Sequence, residues 1–183
     1  MTAPTLRADA ARNLELILEA AEAAFAEKGH EACVADIATR AGVGQATIFR
    51  RFETKDDLIK AVFERKIGQV VTVAETAMRK RSAWDGLMAF MTFATELQAR
   101  DRGFFQAYAE RITATEPGLR EQKERVKEQV GELVERAKAE GSLRQDIGVE
   151  DIHALCCAAA QAGATGPRAW KRYLQVITAG MHT

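Results

Sequence analysis

An all-α fold in two parts is what this 183-residue sequence predicts. A compact N-terminal set of short helices is joined to a larger C-terminal helical bundle, about nine helices in total by apolar periodicity. Prolines stand only at positions 4, 117 and 167, so few stretches are barred from helix. Apolar residues recur at three-and-four spacing along most of the chain, and the alternating runs that mark strands are few. No internal repeat or low-complexity segment is present.

The first helix is expected over about 10–28, where Leu14, Ile17, Leu18, Ala21, Ala24 and Phe25 form one apolar stripe. Gly29 ends it. A second helix, about 34–41, turns Val34, Ile37, Ala38 and Ala41 inward. After Gly42 and Val43 a third runs over about 45–51. Thr54 with Asp57 makes a capping box for a fourth, which continues to about 80. "SAWD" caps a fifth, carrying Trp84, Leu87, Met88, Met91, Ala94 and Leu97. A short helix over about 102–114 follows, then Pro117 and Gly118, then a charged helix over about 119–140 with a narrow stripe (Val126, Val130, Leu133, Val134, Ala137). The last two helices, about 149–164 and 167–180, are divided by "GPR".

The composition, 47% hydrophobic and 28% charged, is that of a soluble globular protein. No apolar run approaches a membrane span, and the opening "MTAPTLRADAARN" lacks the apolar region of a signal peptide. Three cysteines, Cys33, Cys156 and Cys157, suit neither a disulfide framework nor a metal site, which points to a reducing cytoplasm. Lys plus Arg equals Asp plus Glu at 26 each, which excludes a general nucleic-acid glue. Positive charge is concentrated locally: residues 37–55 hold Arg40, Arg50, Arg51 and Lys55 against Glu53 alone.

That basic stretch, "IATRAGVGQATIFRRF", has the helix, Gly-containing turn, helix layout of a helix-turn-helix over about 34–52. Ala38 is small enough for a close crossing, and Ile37, Ala41, Val43 and Ile48 glue the pair together. Gln45, Ala46, Thr47, Phe49, Arg50 and Arg51 are left outward. A helix this short is unstable alone and serves as a presented surface of the width of a DNA major groove. An ordinary helical corner with a solvated basic edge is the alternative.

The segment "IATRAGVGQATIFRRFETKDDLIKAVF", with "ILEAAEAAFAEKGHEACVADIA" before it, resembles the N-terminal domain of the TetR/AcrR family of transcriptional repressors. The likeness covers about residues 12–65; beyond it, only the all-helical layout and Trp170-x-Arg172-Tyr173-Leu174 are similar. The resemblance implies a DNA-binding domain over 8–55 and a ligand-binding, dimerising bundle over 56–183. It implies base-edge contacts from Gln45, Thr47 and Arg50 beside Ala46, and phosphate contacts at Phe49, Arg51 and Lys55. Three positions depart from the family pattern. Cys33 stands where a Thr usually caps the second helix and touches a phosphate. Phe49 replaces a Tyr, and Arg51 replaces a His or Tyr.

A reader of a palindromic operator needs two heads at fixed spacing, hence a homodimer. "ALCCAAAQAGA" permits close helix approach, so Leu155 and Ala159, with Trp170, Tyr173, Leu174 and Ile177, are the expected interface. The family resemblance also implies an apolar pocket for a small-molecule effector. Trp84, Met88, Met91, Phe104, Phe105, Tyr108 and His153 are its candidate lining, with Gln106 and Arg111 as further polar groups. No cofactor and no enzymatic activity are expected, because serine-hydrolase, P-loop and zinc spacings are absent. Three alternatives remain open, one of them a helical interaction adaptor that binds no DNA. Glu27-x-x-His30 and Glu150-x-x-His153 have the spacing of di-metal helix bundles. Cys33, Cys156 and Cys157 are candidate redox sensors.

Overall fold

The computed structural model describes residues 3–101, 104–162, 166 and 168–183, apart from the side chains of 3–8, 101, 105–107 and 110. Nine α-helices and no strand occur among the described residues. The chain divides into two compact units, Met1–Arg65 and Lys66–Thr183.

The first unit contains α1 (Ala3–Lys28), a 3-10 turn (Gly29–Glu31), α2 (Val34–Ala41), α3 (Gln45–Phe49) and the start of α4 (Lys55–Met78). α1 begins several residues before the expected position 10. α2 agrees with expectation at both ends because each end carries a stop signal. Cys33 caps its start, the thiol sulfur accepting the Asp36 N–H at 3.4 Å. Gly42 closes it at φ +68°, a left-handed conformation that disfavours any residue with a Cβ.

α3 stops at Phe49, two residues short of the expected end. The Arg51 and Phe52 N–H groups both bond the Ile48 carbonyl at 2.9 Å. Phe52 is buried and draws the chain inward. Arg50 and Arg51 therefore stand on the turn after the helix. Ile48 anchors α3 from below; burying a side chain of this size stabilises by roughly 1.5–3 kcal/mol, more than so short a helix gains alone. Phe25 of α1, Ile37 of α2, and Leu58, Ile59 and Val62 of α4 are buried in the same unit.

α4 opens with the expected capping box: the Thr54 hydroxyl accepts the Asp57 N–H at 3.1 Å, and the Asp57 carboxylate accepts the Thr54 N–H at 2.9 Å. Arg65 binds Glu15, Glu22 and Glu19 of α1 at 3.1, 3.1 and 3.3 Å. Those glutamates lie at i, i+4 and i+7, so they share one helix face.

The second unit holds α5 (Ala83–Asp101), α6 (Phe104–Thr115), α7 (Pro117–Ala139), α8 (Val149–Gln161) and α9 (Ala169–Met181). α5 packs against the other four. Leu87 and Met91 of α5, Leu133 and Val134 of α7, and Ile152 and Cys156 of α8 are central to the core. α5 and α7 run antiparallel. The Ala83 N–H reaches the Glu140 carboxylate at 2.9 Å, and a Cβ on Gly86 would meet Leu133 Cδ2 at 3.0 Å. Ser82 caps α5 by accepting the Asp85 N–H at 3.2 Å. α8 ends before the expected position 164, and α9 starts after the expected 167. Residues 163–165, and Pro167 of the "GPR" divider, lie outside the described residues.

Candidate functional site

The turn at Gly42 presents α3 with Gln45, Ala46, Phe49, Arg50 and Arg51 exposed and Thr47 half-buried. Phe49 is 50% exposed, large for an apolar side chain that nothing in its own unit covers. Arg50 and Arg51 form no ion pair with the described residues. The other basic groups nearby do have partners. Arg40 makes a two-pronged contact with Glu27 at 2.7 and 3.1 Å, which removes it from the local positive excess counted in the sequence. Lys28 binds Asp36 at 2.5 Å. The Lys28 ammonium, followed by the Cys33 thiol, holds the Asp36 carboxyl below its ordinary range. Lys55, half-buried, donates to the His30 carbonyl and so ties the start of α4 to the 3-10 turn.

In the second unit Met91 is buried, and Trp84 and Met88 pack against the same core. Trp84 meets the His182 ring edge-on, centroids 4.7 Å apart. Phe104 and Tyr108 stack obliquely at 4.7 Å, and the Arg111 guanidinium lies 4.9 Å from the Tyr108 ring centre. His153 departs from expectation. It is exposed, because Ile152 and Cys156 take the inward face of α8, and its Nε2 lies 3.7 Å from the Cys157 sulfur. It does not line an interior site. The side chains of Phe105 and Gln106 lie outside the described residues.

Three of the expected interface residues are corrected as well. Ala159, Trp170 and Leu174 are buried in the core of their own unit and are unavailable to a second copy. Bulky and small apolar residues at helical spacing serve either purpose, and here they close the bundle. Leu155 and Ile177 are half-buried. Tyr173 is 51% exposed, and so is Val176 at 56%, a residue the apolar-face reading passed over. A valine three positions after Tyr173 was the available signal.

Glu27 and Glu150, the carboxylates of the two Glu-x-x-His motifs, bind Arg40 and, at 2.6 Å, Lys127. Their histidines fall in different units. Cys33 is exposed and Cys157 half-buried. Burial pushes the Cys156 thiol up to about 11, with the Thr95 hydroxyl pulling the other way. A thiol held protonated is a poor nucleophile.

Gln98 and Gln129, which sequence reasoning did not single out, each bury a side-chain oxygen without a hydrogen-bond partner among the described residues, and the buried Thr95 hydroxyl has the weak Cys156 thiol beside it. Gln98 lies seven residues beyond Met91 on the buried stripe of α5, and that break in apolar character was visible in the sequence. No helix among the described residues is long and apolar enough to cross a membrane.

Comparison with known proteins agrees with this architecture. Residues 17–62 match the family of bacterial regulatory proteins, tetR family, and residues 82–183 match the C-terminal domain of SbtR-like transcriptional regulators. A TetR transcription regulatory protein from Mycobacterium vanbaalenii is 31% identical, with TM-score 0.71 over 97% of this chain and 99% of its own. The TetR-like regulator LfrR from Mycobacterium smegmatis, solved with proflavine, shares the fold at 23% identity, with TM-score 0.71 over 94% and 97% of the two chains. The fatty acid metabolism regulator protein of Bacillus subtilis is 34% identical over 67 residues, 36% of this chain. The chain spans only 34% of that curated relative's length.

Proposed function

Because this chain belongs to the TetR family of bacterial regulatory proteins, we propose that it is a cytoplasmic homodimeric repressor. It holds a palindromic operator until a hydrophobic or amphipathic small molecule releases it. The observation that carries this reading is α3. It is a five-residue helix anchored by Ile48 alone, with polar, basic and aromatic side chains exposed around it.

Residues 8–55 read DNA and 56–183 bind the effector and dimerise. Gln45, Thr47 and Arg50 address base edges, and Arg51 and Lys55 address phosphates. The Lys55 ammonium has three donors, one of them on the His30 carbonyl, so its position is fixed before DNA arrives. Cys33 and Ala46 flank the contact surface. Phe49 offers an apolar face suited to a thymine methyl group. On the other unit, Tyr173 and Val176, with Leu155 and Ile177 beside them, form the surface that meets the second copy.

The effector enters the core side of α5 and favours a form whose two reading heads no longer match the operator. α4 belongs to both units and is the covalent route between them. The release it achieves is limited by its difference in affinity for the two forms.

Selection of bound duplexes from a random pool tests the reading. An inverted repeat, its halves set a whole number of helical turns apart, is the expected product. Enrichment of an unrepeated site, or of no sequence at all, rejects the dimeric reader.

A further inference from the structure

Glu150 and His153, one of the two Glu-x-x-His pairs, have a third member in Cys157. The three stand at i, i+3 and i+7 of α8, so they form one row on a single helix face. That face is turned to solvent: Glu150 and His153 are exposed and Cys157 is half-buried. Ala154 and Ala158 beside them are exposed as well and, being small, leave room over the row. His153 Nε2 lies 3.7 Å from the Cys157 sulfur. A tetrahedral zinc ion, about 2.3 Å from a thiolate sulfur and about 2.0–2.1 Å from an imidazole nitrogen, holds those two atoms about 3.6 Å apart. The pair is therefore already set at the bite of one ion. The Glu150 carboxyl is held below its ordinary range by Lys127 first, and by His153 more weakly. It is turned to Lys127 at 2.6 Å, so the three groups do not yet meet at one point.

We propose that Glu150, His153 and Cys157 bind a borderline divalent cation of the zinc class. His153 and Cys157 chelate it, Glu150 supplies the third ligand, and water takes the fourth position. A thiolate, an imidazole and one carboxylate suit zinc, whereas magnesium and calcium prefer oxygen ligands throughout. Little opposes the turn of Glu150 toward the ion. Its pair with Lys127 is exposed on both sides, and such a pair contributes little. The turn releases Lys127 and cuts a tie between α8 and α7. Binding also releases the Cys157 thiol proton to solvent, so affinity rises with pH. Cysteine spacing alone did not reveal the row, because two of its three ligands are not cysteine.

The test is titration of the full-length, reduced protein with cobalt(II). A cobalt–thiolate bond absorbs in the near-ultraviolet, and a tetrahedral cobalt centre absorbs strongly in the visible. Wild type is expected to show both bands and to saturate at one cobalt per chain. Equimolar zinc should bleach them and millimolar magnesium should not. Cys157→Ala should abolish the thiolate band. His153→Ala should weaken cobalt binding by roughly tenfold or more, and Glu150→Gln by less. Lys127→Ala, which frees the Glu150 carboxylate, should strengthen it. Cys33→Ser should keep both bands. Melting without metal checks that each variant is folded. No thiolate band in wild type at millimolar cobalt overturns the site. So does a band lost in Cys33→Ser and kept in Cys157→Ala, an unchanged affinity in His153→Ala or Glu150→Gln, displacement by magnesium, or saturation at half a cobalt per chain. Each of these leaves the DNA-binding reading standing.

Discussion

Both units pair exposed charges on their surfaces, but among the described residues the first leaves Arg50 and Arg51 outside any ion pair, whereas the second leaves unmatched oxygens inside. In the first, Arg40 is bound to Glu27, Lys28 to Asp36, Arg65 to three glutamates and Thr54 to Asp57. What remains is outside: Gln45, Phe49, Arg50 and Arg51 around a five-residue helix. In the second, the surface carries its own ion pairs, Lys127 with Glu150 and Arg144 with Asp146, and the unmatched oxygens are inside. Pairing among the exposed groups beside a presented helix holds that surface in one shape. A small molecule that is to be engulfed needs an interior left incomplete.

The largest effect should come from breaking the second unit's core. Leu133 is fully buried at the α5–α7 crossing. Leu133→Ala should cost about 2–5 kcal/mol, read as a lower urea midpoint. Gly86→Ala attacks the same crossing from the other side. Its new methyl would stand 2.6 Å from the Ala77 carbonyl oxygen, a backbone atom that cannot swing away, and should cost about 1–3 kcal/mol. A stability change under about 0.5 kcal/mol for either, the range of an ordinary surface substitution, would show that the crossing is not the close contact described.

Arg50→Ala separates exterior function from interior stability. It should leave the urea midpoint within about 0.5 kcal/mol of wild type. Operator binding should weaken by about 1–3 kcal/mol, with relaxed preference at one base pair. Equal losses on operator and random duplex would remove Arg50 from the bases. Lys55→Ala should instead weaken all duplexes alike and lower the salt slope by about one.

What was legible in the sequence follows the same division. Element ends were readable where a local signal sets them: Gly42 ends α2, and Thr54 with Asp57 opens α4. The end of α3 was not, because burial of Phe52 beyond the helix decides it, and no local signal records that pull. The outward set on α3 was readable because the inward residues of the pair, Ile37 and Ala41 on α2 and Ile48 on α3, are unambiguous. On α8 and α9 the same logic failed for Ala159, Trp170 and Leu174. Periodicity finds an apolar face and does not say whether the same chain or another copy covers it. Gln98 was visible as a polar residue in an apolar row, but whether its oxygen has a partner is a three-dimensional property.

A smaller effect probes the staples that make the first unit rigid. Thr54→Ala removes the hydroxyl that accepts the Asp57 N–H and donates to the Asp57 carboxylate at 2.8 Å. It should cost about 1 kcal/mol, the usual worth of an N-cap. The loss should appear in thermal unfolding as an earlier transition. An unchanged melting curve would mean that burial of Leu58 and Ile59 holds the start of α4 without the cap.

The smallest effect is acid dependence, and the two units share it. The Thr54 hydroxyl and backbone N–H hold the Asp57 carboxyl below its ordinary 3.8. Its folded pKa is thus lower than its unfolded one, so its contribution is complete above about pH 4 and fades as pH falls through the lower folded value. Asp36, held down by Lys28, behaves alike. Asp146 and Glu150, held down by Arg144 and Lys127, add the same trend on the surface of the second unit. Stability should therefore fall on acidification in wild type, and less steeply in Asp57→Asn, which has no proton to gain. Urea midpoints of wild type should stay level at about pH 6 to 7, begin to fall as the pH approaches the ordinary values of 4.5 for Glu150 and 3.8 for Asp57, and level off only below the depressed folded values. A slope in Asp57→Asn as steep as in wild type would show that the capping carboxylate carries none of the acid dependence.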